Sequence, residues 1–89
     1  MNREALAHWL GTPRRTWRWS RGDVARYDGV EATPTSLRWF RWSHQPEEGG
    51  LTAEWTQAVE AFRAEGPPGE MRPPAAVLEA LRSWLDEHP

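Results

Sequence analysis

A break at Gly11-Thr12-Pro13 separates two segments of different character, and it strongly constrains how this chain can fold. Before the break, Leu6 and Leu10 recur at the spacing of an apolar helix face. After it, Arg and Trp dominate. Glycine favours the end of a helix, and proline favours the first position of the next one. The pattern therefore predicts two short helices, over about residues 3–10 and 13–21, joined by a tight turn.

Charge divides the 89-residue chain into a basic half and an acidic half. Residues 1–44 hold eight Arg and four acidic residues, whereas residues 45–89 hold three Arg and nine acidic residues. Such asymmetry is typical of a polyanion-binding part joined to an acidic part. Because 89 residues suffice for one small core, we expect a single domain over residues 1–89. Its basic part would span residues 2–44 and its acidic helical part residues 51–89.

The remaining segments favour an all-α domain of about five helices. Residues 22–34 contain several turn-forming pairs and predict a loop. Residues 35–43 fit a helix better than a strand, because their apolar and charged side chains do not alternate cleanly. Further helices are expected over residues 52–64 and 74–87, the second with the clearest amphipathic pattern. Between them, residues 66–74 are too rich in Gly and Pro for regular structure.

A β-hairpin over residues 15–28 is the main alternative to the second helix. Its first arm would contain Thr16-Trp17-Arg18-Trp19, which alternates in polarity, and aromatic side chains favour strands. The hairpin would turn at Arg21-Gly22-Asp23. The local pattern leaves both structures open.

Part of the segment from residue 2 to residue 43 resembles the helix-turn-helix DNA-binding domain of the phage-repressor (Cro/C1, Xre-like) type. The positions that match the family pattern are Leu6, Ala7, Leu10, Gly11, Trp17 and Arg21-Gly22. In that family Ala7 would lie where the two helices cross, and Trp17 would be the main buried residue of the second helix. The resemblance implies an all-α fold with a helix-turn-helix near the N-terminus.

The resemblance and the basic charge together predict a DNA-binding protein, namely a small transcriptional regulator. A recognition helix in the major groove presents Arg side chains that grip guanine or phosphate. The partner would be nucleic acid, most simply duplex DNA. The residues expected to contact it are Thr12, Arg14, Arg15, Thr16, Arg18, Trp19, Arg21 and Arg26.

Two other functions stay open. The apolar side of residues 74–87 would suit a protein partner or a second copy of the chain, which would make the protein an acidic helical adaptor or accessory subunit. Alternatively, Trp19, Trp39 and Trp42 interleave with Arg residues. They would then stack on the bases of single-stranded nucleic acid.

Nothing in the sequence indicates catalysis, a cofactor or a metal site. The chain has no Cys, and its three His lack metal-ligating spacing. No apolar stretch approaches the ~20 residues needed to span a bilayer, and the N-terminus lacks a signal-peptide pattern. We therefore expect a cytoplasmic protein that is not an enzyme and has no membrane partner.

Overall fold

The computed structural model describes residues 12–20, 22, 25–45, 47 and 49–89. Four strands form one antiparallel sheet, in which each strand pairs with the next along the chain. The elements are β1 (Arg15–Ser20), β2 (Arg26–Ala32), β3 (Ser36–Ser43), β4 (Gly50–Ala58), α1 (Val59–Glu65) and α2 (Ala75–Glu87). Both helices pack on the same side of the sheet, which we call the helix-covered face. The opposite side is the distal face.

The expected all-α fold is wrong. The described part of the chain contains a four-stranded sheet and two helices, instead of about five helices. The second predicted helix, residues 13–21, is largely replaced by β1, which pairs with β2 as in the hairpin alternative. The first predicted helix, residues 3–10, lies outside the described residues. The segment that was expected to be the second helix of a helix-turn-helix is therefore mostly a strand.

Burial of two tryptophans explains why β1 is a strand. On a helix, Trp17 and Trp19 would point about 200° apart, so that only one of them could face a core. On a strand they lie on the same side, and both pack against the core of the helix-covered face. The intervening Arg18 is exposed. Tertiary burial of both indoles thus outweighs the local signals for a helix.

The imperfect alternation of residues 35–43 also has a structural cause. β3 is an interior strand with buried residues on both sides. Leu37 and Trp39 are buried under the helices, whereas Phe40 is buried on the distal face. A strand buried on both faces does not alternate between apolar and polar residues. The predicted helix is therefore wrong, and its apolar residues serve two sides of a sheet.

β2 and β4 occupy segments that were expected to be a loop and a helix. β2 lies within residues 22–34, and β4 fills the first part of residues 52–64. The helix of that second segment begins only at Val59. Its start follows from pairing, because β4 remains hydrogen-bonded to β3 as far as Ala58. The acidic part of the chain is consequently part strand and part helix.

The helix predicted over residues 74–87 is confirmed as α2. Its buried residues recur at helical spacing, and they meet the sheet and α1 in one core. The irregular segment before it is also as predicted. Within the described part of the chain, the buried core consists of Val30, Ala32, Leu37, Trp39, Val59, Phe62, Met71, Leu81, Trp84 and Leu85.

Candidate functional site

β1 divides the predicted nucleic-acid contacts between the two faces of the sheet. Thr16 and Arg18 lie on the distal face, whereas Arg15 and Trp19 lie on the helix-covered face. The basic face that a recognition helix would have presented is therefore split. The structure does not gather these four residues into one surface.

The other predicted contacts lie near the ends of β1 and β2. Arg14 is exposed immediately before β1, and Thr12 is half-buried two residues earlier. Arg26 begins β2 opposite Ser43 and is half-buried. Arg21 lies outside the described residues. Of the predicted contacts, Arg18 is the cation that stands over an aromatic ring of the distal face.

An aromatic cluster of Tyr27, Trp42 and His44 lies at one end of the distal face. Tyr27 and Trp42 are directly opposite each other in the register of β2 and β3. Their rings are nearly parallel, with an interplanar angle of 17° and centroids 6.4 Å apart. His44 follows β3 and lies 5.7 Å from the Tyr27 ring and 6.5 Å from the Trp42 ring. The cluster presents two half-buried rings and one exposed ring.

A cation and an exposed apolar side chain border the aromatic cluster. The guanidinium carbon of Arg18 is 5.8 Å from the centroid of the Tyr27 ring, which is within range of a cation–π interaction. On the other side, Leu51 pairs with Trp42 and is 44% exposed. A bulge in β4 sets this pairing, since the register shifts between Arg41 and Trp42. The cluster is thus a mixed aromatic and cationic surface.

Only one of the three tryptophans predicted to stack on bases belongs to this cluster. Trp39 is fully buried, and its indole nitrogen donates a 2.9 Å hydrogen bond to Gln57. Trp19 lies on the helix-covered face, so Trp42 is the member of the set on the distal face. Sequence reasoning missed Tyr27 and His44. The signal that would have found Tyr27 is the strand register that places it opposite Trp42.

In the middle of the distal face, two carboxylates surround one cation. Arg38 lies between two carboxylates, with its guanidinium nitrogens 3.8 Å from Glu31 and 3.8 Å from Glu54. These side chains are between about a third and two-fifths exposed, so solvent screens their attraction. Arg38 therefore adds little positive field to this face, and among the described residues it is Arg18 that places a cation at the aromatic cluster.

The helix-covered face contains a second notable feature, an ion pair with a buried carboxylate beside a cavity. Nε of Arg41 is 3.3 Å from Oδ1 of Asp28, whose side chain is only 4% exposed. Arg41 also donates a hydrogen bond to the backbone carbonyl of Glu70, and its guanidinium lies 5.5 Å from the Trp55 ring centroid. The adjoining cavity has a volume of about 310 Å³ and is lined by Trp19, Ser20, Asp28, Arg41, Glu70 and Arg72.

The Gly- and Pro-rich segment before α2 forms one wall of this cavity. Met71 is buried in the core and holds the segment against the sheet. Its backbone N–H donates a 2.9 Å bond to the carbonyl of Pro68, which closes a turn. Glu70 and Arg72 flank this anchor and line the cavity. A buried methionine thus positions two charged neighbours.

The apolar side of residues 74–87 is used inside the chain itself. Leu81, Trp84 and Leu85 are buried, and the Trp84 ring meets the Trp17 ring edge-on at 6.3 Å. Val77 and Leu78 of the same helix are half-buried. Most of the apolar face on which the adaptor hypothesis was based is therefore used within the chain, and a protein partner at α2 stays a prediction.

Across the described residues, His, Asp and Glu side chains form no group of three that could hold a metal ion. Nor does that part of the chain include a helix with the length and apolar character to cross a membrane. Comparison of the chain with protein-family models, with curated proteins and with solved structures finds no match.

Proposed function

We propose that this protein binds single-stranded nucleic acid through the aromatic cluster on the distal face. The observation that carries the proposal is the nearly parallel pair of Tyr27 and Trp42, with Arg18 over the Tyr27 ring. Stacking platforms flanked by cations are the usual means by which proteins hold unpaired bases. The proposal keeps the sequence-based prediction of a nucleic-acid partner and changes the surface that meets it.

Stacking is the attractive part of this interaction. The Tyr27 and Trp42 rings come from adjacent strands, so the sheet backbone holds their relative orientation. Both are half-buried, which leaves part of each ring accessible to a base. His44 adds a third, exposed ring beside them. A base stacked on an aromatic side chain contributes about 1–3 kcal/mol, and every base has a face that can stack.

Phosphate binding would be a smaller contribution. Arg18 is exposed on the distal face beside the cluster, where a phosphate next to a stacked base would meet it. Arg38 is engaged by Glu31 and Glu54 and is a poor phosphate ligand. The expected complex therefore depends more on stacking than on charge, and its affinity falls gently with salt.

A single strand suits this surface better than duplex DNA. Reading the major groove usually requires a protruding helix or a two-stranded ribbon. Residues 15–20 form an edge strand whose side chains alternate between two faces of the sheet. A flat aromatic surface cannot enter a groove, but it can stack on unpaired bases.

The test is a fluorescence-anisotropy titration with a labelled oligonucleotide, as single-stranded DNA, single-stranded RNA and duplex DNA, at two salt concentrations. We expect the single strands to bind more tightly than the duplex. Trp42→Ala should weaken single-strand binding about 5- to 150-fold, which corresponds to the loss of about 1–3 kcal/mol of stacking. Arg18→Ala should reduce the salt dependence by the equivalent of one phosphate contact, about 0.7 in the logarithmic slope.

Arg63→Ala is the matched control, because it removes one exposed Arg from α1, away from the distal face. It should leave both the affinity and the salt slope unchanged. Circular dichroism and thermal melting of each variant separate a lost contact from a lost fold. Equal affinity of the wild type and a folded Trp42→Ala variant would refute the proposal, as would tighter binding to the duplex.

A further inference from the structure

The ion pair of Asp28 and Arg41 is unusual, because both side chains lie on the side of the sheet that carries the apolar core. The next pair on that side, two residues further along the strands, is Val30 and Trp39. Asp28 is buried while the Arg41 side chain is 28% exposed. Burying the carboxylate of such a pair costs desolvation free energy, which the attraction between the partners often fails to recover compared with apolar residues of the same size. A charged pair at such a position is better explained by something that it binds.

The cavity beside the pair has the size and shape of a small-molecule site. Its volume of about 310 Å³ is at the lower end of the range for ligand pockets. One side is formed by the half-buried indole of Trp19, and the opposite wall by the segment that Met71 anchors. A ligand of one or two fused rings fits this space.

The charges of the cavity balance and so favour a neutral ligand. Asp28 faces Arg41 at 3.3 Å, while Glu70 and Arg72 are exposed at the rim. Neither an anion nor a cation would meet an excess of opposite charge. The guanidinium supplies hydrogen-bond donors, and the carboxylate, which can accept several hydrogen bonds, supplies acceptors.

We propose that this cavity binds a nucleobase, presented as a free base or nucleoside. A nucleobase is neutral and flat, and it carries a donor next to an acceptor along its edge. The Trp19 indole would stack on the ring, while the Asp28 carboxylate accepts from the donor and the Arg41 guanidinium donates to the acceptor. Arg41 is prepared for this role, since the Glu70 carbonyl, the Trp55 ring and Asp28 fix its position.

This site is independent of the function proposed for the distal face. It lies on the opposite side of the sheet from the aromatic cluster, and nucleosides lack the phosphate chain of a strand. Loss of oligonucleotide binding in Trp42→Ala therefore says nothing about it. Conversely, absence of nucleoside binding leaves the distal-face proposal intact.

The test is isothermal titration calorimetry of the full chain with adenosine, guanosine, cytidine and uridine, each compared with its 5′-monophosphate and with ribose. We expect saturable one-site binding of at least one nucleoside. The monophosphate should bind no more than about threefold more tightly, since the cavity is charge-balanced, and ribose should not bind. Binding of a 5′-monophosphate without binding of its nucleoside would instead indicate a phosphate site and overturn the proposal.

Two variants locate the binding in this cavity. Trp19→Ala should weaken nucleoside binding at least tenfold, whereas Trp17→Ala, its neighbour on the same face, should not weaken it because Trp17 does not line this cavity. Thermal melting confirms that each variant is folded. Unchanged affinity in folded Trp19→Ala, or failure of every nucleoside to bind the wild-type chain, would overturn the assignment.

Discussion

At the scale of single residues, Gly29 shapes the distal face. Phe40 lies opposite Gly29 in the register, and the Phe40 ring occupies the space that a side chain at position 29 would need. An added Cβ would overlap Cζ of Phe40 and would lie 2.9 Å from the backbone oxygen of Trp17. The glycine thereby allows a large ring to lie across the sheet, and Phe40 is only 5% exposed.

Gly29→Ala should therefore lower the free energy of unfolding by about 1–3 kcal/mol, the usual cost of overpacking a core. The measurement is urea denaturation followed by circular dichroism. Gly69→Ala is the control, because a Cβ there has no heavy atom within 4 Å; it should change stability by less than about 0.5 kcal/mol. If the clash is the cause, Gly29→Ala should be less destabilising in a Phe40→Leu background. If the two substitutions changed the free energy of unfolding additively, the clash with Phe40 would not be the cause.

At the scale of elements, α2 contributes most as a cover for the sheet. Leu81, Trp84 and Leu85 point into the core, and the residues on the other side of the helix are exposed and either small or charged. α1 is shorter and docks chiefly through Phe62, whose ring lies 5.9 Å from the Trp39 ring. A side-chain network reinforces this contact, since Gln57 accepts from Trp39 and donates to the carbonyl of Gly66 at the end of α1. The helices and the interior strand thus form one packed unit.

We expect Leu81→Ala to lower the free energy of unfolding by about 2–5 kcal/mol, because Leu81 is fully buried and its loss leaves a cavity. Leu51→Ala offers a matched comparison on the distal face, where the same side chain is 44% exposed. Its effect should stay below about 1 kcal/mol, in proportion to the smaller buried area. Chemical denaturation of both variants tests the difference. Equal destabilisation would mean that α2 does not cover the core as described.

At the scale of the whole molecule, the two oppositely charged halves share one core. Val30 and Trp39 come from the basic half, while Phe62 and Leu81 come from the acidic half. β3 and β4 also join the halves through a continuous antiparallel ladder. The division by charge is therefore a division of the sequence and not of the hydrophobic core.

Truncation after Gly50 should accordingly abolish cooperative folding. The fragment would lose β4 and both helices, which would expose Trp39 and Leu37 and leave β3 as an edge strand. Burying each large apolar side chain contributes roughly 1.5–3 kcal/mol, and a domain this small has little stability to lose. Differential scanning calorimetry of the fragment and the full chain makes the comparison. A sharp transition in the fragment would show that residues 51–89 are dispensable for the fold.

Local sequence patterns determined the parts of this protein whose structure depends on neighbours along the chain. The amphipathic spacing of residues 74–87 predicted α2, because contacts at three and four residues apart are built into a helix. The density of Gly and Pro over residues 66–74 predicted the irregular segment before it.

Tertiary structure alone decided the sheet and both candidate sites. The segments of β1 and β3 were compatible with a helix or a strand, and the choice depended on burying Trp17, Trp19 and Trp39 together under helices distant in sequence. The pairing of Tyr27 with Trp42 and of Asp28 with Arg41 follows from the register of β2 and β3. Local periodicity does not encode this register, because the register depends on packing between strands. The contacts that stabilise a helix join residues three or four positions apart in the sequence. A sheet instead pairs residues from distant segments, which meet only when the whole chain folds.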